Sequence, residues 1–497
     1  MPHPPFIILD ENSDRPLYRQ IYETIRRSIL NGDFHPGRQL PASRHLAKKL
    51  GISRMTVINA YDQLQAEGYL ESRAGAGTFV AEHLPEEFLQ TPRVERQENE
   101  TQSLPRKLKF SRYGKNIFEE RCAILQSQKP TPIVPFQYGL VAIDEFPFDT
   151  WVKLTNKSYY SLSRNEFGYG DPAGYYRLRE AIAAYLKSFR AVNCTPEQVI
   201  ITNGAQQAFD LIGRIFIQPE TEIWVENPCY TGAKQVFQTF EANLVPVPVD
   251  KDGFNLAAVL KPSAKGQLVY VTPSHQFPLG VTMSLTRRLQ LLEWTRATES
   301  WIIEDDYDSE FRYEGRPLAS LQGLDRDGRV FYISTFSKTI FSALRLGCLV
   351  VPHDLIEVFT AVRALNGSHA PLIDQATLAA FINEGYFVRH IRRMRRLYEE
   401  RQEILISEVE KHLAGRLEVK KSVAGMHVIG WLNEDLDDHI VSAQAAEFGV
   451  KAAAVSSFSL TKVERGGLIL GYTATDEKQI KQGVKRLARA MESLDRK

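Results

Sequence analysis

Cysteine forms no pattern in this chain. Its four cysteines, Cys122, Cys194, Cys229 and Cys348, are scattered through 497 residues. That spacing excludes a disulfide scaffold or a cysteine-ligated metal site and suits a reducing cytoplasm. No uncharged run of about eighteen apolar residues occurs, so no membrane span is expected. The N-terminal stretch MPHPPFIILDENSDRPL lacks the basic region and apolar core of a signal peptide, and the expected location is cytoplasmic. Excess charge of one sign is missing too. The net charge is +1, so any contact with nucleic acid must rest on a local patch. What remains is the composition of a globular protein, 43% hydrophobic and 24% charged, in a chain long enough for two or three domains.

The stretch 330-VFYISTFSKTIFSALRLGCLVV-351 reads as an apolar strand, a small-residue turn carrying Lys338, and a second apolar strand. A lysine at the mouth of a buried strand can be desolvated into an amine nucleophile. The hydroxyls of Ser334, Thr335 and Ser337 and the guanidinium of Arg345 would suit a phosphate beside it. Pyridoxal 5′-phosphate (PLP) needs this combination of a Schiff-base lysine and a phosphate cradle. Most lysines in such turns are solvated, so the upstream segment 301-WIIEDDYDSEFRY-313 decides the matter. It is a hydrophobic strand ending in acids. Asp305 could face a pyridine nitrogen and Tyr307 a ring oxygen if both strands end at one edge of the sheet. Asp305, Asp306 and Asp308 could instead bind a divalent metal, but no glycine-bearing calcium loop surrounds them, so no metal is expected.

Near the N-terminus, residues 16–31 place Leu17, Ile21, Ile25 and Ile29 on one helical face, with Asp14 and Pro16 at its start. In 40-LPASRHLAKKLGISRMTVINAYDQLQAEG-68, a short helix from Ala42 to Leu50 is followed by Gly51 and a second helix capped by Ser53. That helix would bury Val57, Ala60, Tyr61 and Leu64. The arrangement is a helix-turn-helix, whose second helix enters the DNA major groove with its N-terminal residues first. Those residues are Ser53, Arg54, Met55 and Thr56, with Asn59 one turn later. Residues 69-YLESRAGAGTFV-80 read as a two-stranded wing. From Arg26 to Arg54 the chain carries seven basic residues against Asp33, a local charge of 7 − 1 = +6. A helical hairpin used for protein contacts is the alternative. The wing and the arginine placement favour DNA.

Residues 82–112 are polar and proline-bearing, and read as a linker of roughly 30 Å root-mean-square span. From about residue 136, short apolar strands alternate with helices, which predicts a largely parallel sheet covered on both faces, with ligands at the carboxyl ends of its strands. The strands are 199–202, 222–227, 244–249, 267–272, 301–305 and 330–334. Asn203-Gly204-Ala205-Gln206 follows the first of these and opens a helix, so Gly204, Ala205 and Gln206 are phosphate candidates. Tyr230 follows the second and could stack on a flat ring. Residues 371–413 read as one long helical stretch. Its basic run 389-RHIRRMRR-396 is a solvated face, with DNA or partner contact a lesser possibility. Residues from about 415 to 497 suggest a small α+β subdomain.

These pieces together resemble the MocR-type regulators, the GabR-like branch of the GntR transcription factors. The motifs are LPASRHLAKKLGISRMTVINAYDQLQAEGYL with GAGTFV, YGDPAGYYRLREAIAAYL, ITNGAQQAFDLI, TPSHQFPLGVTM, IEDDYDSEFRY and STFSKTIFSALRLG. The resemblance implies an α/β chain with three parts. A winged helix-turn-helix (10–81) precedes the linker (82–112), and a fold-type I aminotransferase-like body follows (113–497). It also implies that Lys338 carries PLP, with Asp305 at the pyridine nitrogen, Tyr307 at the ring oxygen and Tyr230 stacked on the ring. Gly204, Ala205, Gln206, Ser337 and Arg345 would surround the phosphate. Arg44, Ser53, Arg54 and Thr56 would contact operator DNA, and the assembly would be a head-to-tail homodimer.

Three positions depart from the patterns that the resemblance brings. Phe277, in 277-FPLG-280, stands where transaminases place an asparagine near the ring oxygen. Ile469, in 468-LILGY-472, replaces the arginine that clamps a substrate carboxylate. Arg465 lies close enough in sequence to be a substitute for it. Gly232 stands where the GABA-responsive regulator has a ligand-contacting arginine. The expectation is a PLP-dependent regulator, not an enzyme, that senses an amine, an amino acid or PLP itself. The rival readings are an aminotransferase with an accessory DNA-binding domain and a scaffold that has lost its cofactor. Joint retention of Lys338, Asp305, Tyr307 and Arg345 argues against the last.

Overall fold

The structure is a computed structural model, and it describes residues 7, 9–10, 13, 15–73, 75–84, 109–127, 132–260, 267–315, 318–433 and 436–495. Asp14 and residues 85–108 of the linker lie outside these. The chain divides into two compact units, residues 1–108 and 109–497.

In the first unit, α1 (Leu17–Leu30), α2 (Ser43–Leu50) and α3 (Arg54–Ala66) precede a hairpin of β1 (Leu70–Arg73) and β2 (Gly77–Val80). The apolar spacing of α1 turns Ile21, Ile25 and Ile29 inward. They meet Leu46 of α2 and Val57, Ala60, Tyr61 and Leu64 of α3 in one core. Gly51 ends α2 in the left-handed conformation, φ 69°, which a glycine adopts without steric cost. The hairpin pairs Leu70 with Val80 and Arg73 with Gly77.

The second unit begins with α4 (Arg112–Ser127), α5 (Phe148–Ser161) and α6 (Tyr176–Arg190). Thus α4 starts at the last residue of the stretch read as linker, where Tyr113 and Ile117 stand four residues apart. Next come β3 (Val199–Thr202), α7 (Ala205–Phe216), β4 (Glu222–Asn227), α8 (Thr231–Thr239), β5 (Asn243–Asp250), β6 (Gly253–Phe254), β7 (Leu268–Val271), α9 (Leu285–Thr298), β8 (Trp301–Asp306), β9 (Val330–Thr335) and β10 (Gly347–Val350). Their sheet has eight strands in the order β3-β10-β9-β8-β7-β4-β5-β6. The pairs from β9 through β5 are parallel, while β10 runs antiparallel to both β9 and β3. The sheet is therefore largely parallel, as the strand–helix alternation predicts. The reversal at β10 follows from the Lys338 turn, which is too short for a crossover helix.

Helices α10 (Ile356–Leu365), α11 (Leu372–Asn383) and α12 (Tyr386–Leu413) follow. The single helical stretch expected over 371–413 is two helices, because Gly385 sits at φ 75° between them. A smaller sheet of β11 (Leu417–Val419), β12 (His427–Leu432), β14 (Gly467–Gly471) and β13 (Ala453–Ala454), in that order, is accompanied by α13 (Asp438–Glu447) and α14 (Glu477–Leu494). No helix among the described residues is long and apolar enough to cross a membrane.

Candidate functional site

In the first unit Ser53, Arg54 and Thr56 stand at the start of α3, and Arg44 lies in the first turn of α2. The Ser53 hydroxyl accepts from the Met55 N–H at 3.2 Å and caps the helix. Arg54 points outward and donates from Nε to the Ser43 hydroxyl at 3.4 Å. Arg44, Ser53, Arg54 and Asn59 are exposed and Thr56 is half-buried, while the opposite face of α3 is core. A capped, basic, solvent-facing helix start is the form that enters a DNA groove.

In the second unit, chain reversals put chemistry at one edge of the large sheet. Asp305 is the penultimate residue of β8, and Lys338 lies in the turn after β9. Gly204 caps α7 after β3, Tyr230 caps α8 after β4, and Thr272 follows β7. Lys338, Asp305, Tyr307, Tyr230, Ala205, Gln206, Ser337 and Arg345 line a single cavity. Gly204 adjoins it, since a Cβ there would meet the Arg345 guanidinium at 3.4 Å. Every predicted residue of the cofactor site is therefore at this cavity. Thr335 also lines it, and Ser334 is not among the lining residues.

The Lys338 amine donates to the Gly139 carbonyl at 2.7 Å. Burial pushes its pKa down, while Asp308 and Asp305 pull it back up. The carboxyl of Asp305 is pushed up to about 7, mainly by burial, against the lowering effect of the Tyr270 hydroxyl, which donates at 2.9 Å. Its second oxygen, Oδ1, is buried and has no partner. Arg345 donates to the Asn203 carbonyl at 2.9 Å, in the turn where the first N–H groups of α7 are free. Its φ of 50° is a left-handed conformation outside glycine, an uncommon setting for a side chain. The Ser337 hydroxyl is buried without a partner. The three acids weighed as metal ligands take separate partners. Asp305 meets Tyr270, Asp306 pairs with Arg190 at 2.7 Å, and Asp308 meets His275 at 2.9 Å.

Several residues of the cavity carry no signal of their role in the sequence. Tyr138, Gly139, Thr272, Met426 and His427 line it. His275 is buried behind it, and its Nδ1 lies 3.0 Å from the Tyr307 hydroxyl and 2.9 Å from Asp308. The His275 imidazole therefore stands between Asp308 and the phenol. His275 stands two residues before Phe277, just ahead of the 277–280 turn that departs from the transaminase pattern, and that adjacency is its only trace in the sequence. Phe277 lines the cavity with its ring edge-on to Tyr230 and Tyr307, at 5.9 and 6.0 Å. Gln206 donates to the Tyr230 hydroxyl at 3.3 Å. Two unpartnered buried polar atoms, a lysine amine and a helix N-terminus with an arginine suit one ligand. It must carry a ring nitrogen, an electrophilic carbon and a phosphate, and PLP has all three.

Two family models match the chain: bacterial regulatory proteins of the gntR family over residues 17–80, and aminotransferase class I and II over 139–487. The probable rhizopine catabolism regulatory protein MocR of Rhizobium meliloti is 39% identical over 493 residues, 98% of this chain and 96% of that protein. The pyridoxine biosynthesis transcriptional regulator PdxR of Corynebacterium glutamicum is 30% identical over 474 residues, 95% of each. Among solved structures, the multiple substrate aminotransferase of Thermococcus profundus superposes with a TM-score of 0.70 at 28% identity, covering 78% of this chain and 98% of that one. The α-aminoadipate aminotransferase LysN of Thermus thermophilus, complexed with N-(5′-phosphopyridoxyl)-L-leucine, gives 0.70 at 25%, covering 78% and 97%.

Proposed function

The chain belongs to the MocR-type regulators, in which a GntR-family DNA-binding domain is joined to an aminotransferase class I and II body with PLP as cofactor, and from that premise we propose that the body acts as a sensor and not as an enzyme. The observation that carries this reading is the single cavity shared by the Lys338 amine and the unpartnered Asp305 oxygen, in a chain whose other unit presents Arg54 on a capped helix.

Lys338 would hold the cofactor, with Asp305 on the side of its ring nitrogen and Tyr307 on the side of its ring oxygen. Tyr230 would lie against the ring. Gly204, Ala205, Gln206, Ser337 and Arg345 would receive the phosphate. When bound, PLP supplies an electrophilic aldehyde that captures primary amines. The chain's own groups hold the protons around it. Asp305 presents a carboxylate once a cationic ring nitrogen lies against it. His275, itself paired with Asp308, holds the Tyr307 hydroxyl, and burial keeps that phenol neutral. Phe277 and Ile469, standing where transaminases have an asparagine and an arginine, remove two groups that turnover uses. A related regulator is named for pyridoxine biosynthesis and another for rhizopine catabolism. The effector here is an amine, an amino acid or PLP itself.

Arg44, Ser53, Arg54 and Thr56 contact operator DNA, and the site of action is the cytoplasm. The body forms a head-to-tail homodimer. In support, Tyr160 and Tyr169 are 91% and 101% exposed, and Phe167 and Tyr159 are exposed beside them in sequence.

The signal has a physical route out of the cavity. Tyr230 caps α8, a rod of roughly 13 Å at 1.5 Å per residue. At its far end Asn116 of α4 donates to the Thr239 carbonyl, Arg112 pairs with Glu241 at 2.5 Å, and Tyr113 packs on Phe240. A ligand that binds two body conformations unequally would shift this anchor of the linker. Incubation of the PLP-loaded protein with candidate primary amines and amino acids, with a 2-oxo acid acceptor present, tests the reading. A change in the visible band with at least one of them, without sustained multiple turnover, is expected, and many turnovers per site would make the chain an aminotransferase.

A further inference from the structure

A sensor at Lys338 has three effector classes open to it, and the walls of the cavity separate them. Selection among those classes rests on the sensor reading and narrows it. An α-amino acid brings a carboxylate, which is strongly disfavoured in an apolar enclosure unless a cation or several N–H groups receive it. Three positions could have supplied that cation, and the structure closes each. Ile469 is fully buried in an apolar cluster with Phe277, Ile429, Val455 and Phe458. Arg465, its neighbour in sequence, donates to the Leu432 carbonyl at 2.7 Å and pairs with Glu418 at 2.9 Å, and it does not line the cavity. At Gly232 there is no room for a side chain. A Cβ would meet Gln206 Nε2 at 2.0 Å and the Tyr230 ring at 2.5 Å, so an arginine there would displace the ring-stacking tyrosine.

Among the described residues, the basic side chains that line the cavity are Lys338, Arg345 and His427. Lys338 is the cofactor's own lysine. Arg345 is turned toward the Asn203 carbonyl beside Gly204, at the phosphate end. The His427 Nε2 lies 2.8 Å from the Pro278 carbonyl, so it carries the hydrogen and donates. Burial, with His275 and Lys338 nearby, pushes the pKa of this imidazole down to about 3, so it stays neutral. Apart from the groups assigned to the cofactor and the hydroxyls of Thr272 and Thr335, which carry no charge, the remaining side chains of the wall are apolar and aromatic: Tyr138, Phe277 and Met426 line the cavity, and Phe458 backs Tyr138 and Phe277 at 5.8 and 5.2 Å.

From this we infer that the cavity beside Lys338 selects primary amines that carry no carboxylate, with an apolar, aromatic or uncharged body, and rejects the corresponding α-amino acids. Enclosure by tyrosine and phenylalanine favours the amine's carbon skeleton, while the same surfaces leave a carboxylate desolvated and unpaired.

Matched pairs that differ only in the carboxylate test this directly. The full chain loaded with PLP is titrated with 2-phenylethylamine against L-phenylalanine, and with 3-methylbutylamine against L-leucine. Displacement of the visible band is one readout, and the ligand-induced shift of the thermal midpoint is the other. The half-saturating concentration of each amine should lie on the order of 100-fold below that of its amino acid, the factor expected for an uncompensated buried charge. Equal or tighter binding of the amino acids would overturn the inference, because a cation from outside these walls would then be receiving the carboxylate. A flat titration for all four would overturn it as well. Sensing in general is read separately, by whether PLP controls transcription, so failure of the selectivity is distinguishable from failure of the sensor reading.

Discussion

The chemistry of the body turns on two residues, 33 positions apart in sequence, that a shared sheet edge brings to one cavity. Asp305 is buried, and that burial pushes its carboxyl up to about 7 from an ordinary 3.8, against the lowering effects of the Tyr270 hydroxyl and the Lys338 amine. A carboxyl whose folded pKa is raised costs nothing while protonated in both states. Its stability contribution is full below about pH 4 and is lost as pH rises through the folded pKa near 7. Asp305→Asn removes that penalty. The variant without cofactor should therefore gain thermal midpoint over wild type, with a larger gain at pH 8 than at pH 5. Scans of both proteins at the two pH values check this, and an equal gain at both would contradict the buried-acid account. Lys338 and Asp305 were legible together, as a lysine in the turn after one apolar strand and an acid at the end of another, and neither was decisive alone. His275 was not. Its partner Tyr307 is 32 positions downstream, and its close fit against Gly425, where a Cβ would meet the imidazole at 2.0 Å, is tertiary.

At the scale of elements, local chemistry set most boundaries. The N-cap at Ser53 and the left-handed Gly51 frame α3 as the sequence predicts. Ser53→Ala should cost about 1 kcal/mol of stability in the DNA-binding unit, the usual worth of an N-cap. Denaturant unfolding checks this, and no loss would mean the cap contributes nothing. The antiparallel β10 was legible as a strand, but its direction depends on the length of the Lys338 turn. Gly385 was visible within the 371–413 stretch, but apolar residues continue the pattern on both sides of it, and only its φ of 75° shows the break. The packing of α4 on the far end of α8 joins residues more than a hundred positions apart and left no mark in sequence. It carries a prediction of its own. Arg112→Ala with Tyr113→Ala should keep the PLP band and DNA binding but lose the transcriptional response to effector. A full response in the double variant would remove α4 from the route.

For the whole molecule, the claim is a division of labour: one unit binds DNA, and the other converts occupancy of a PLP site into a regulatory signal. The two units differ in kind. One is a small basic helical domain with a hairpin, and the other is an aminotransferase fold in which Ile469 is buried in an apolar cluster with Phe277 and Phe458. The most direct measurement is transcription from the protein's own upstream region, fused to a reporter, in cells carrying wild type, Lys338→Ala or Arg54→Ala. Regulation should be lost in both variants. The visible PLP band of the purified proteins should disappear only for Lys338→Ala. If Lys338→Ala regulates like wild type, the cofactor site plays no part in control, and the central claim fails.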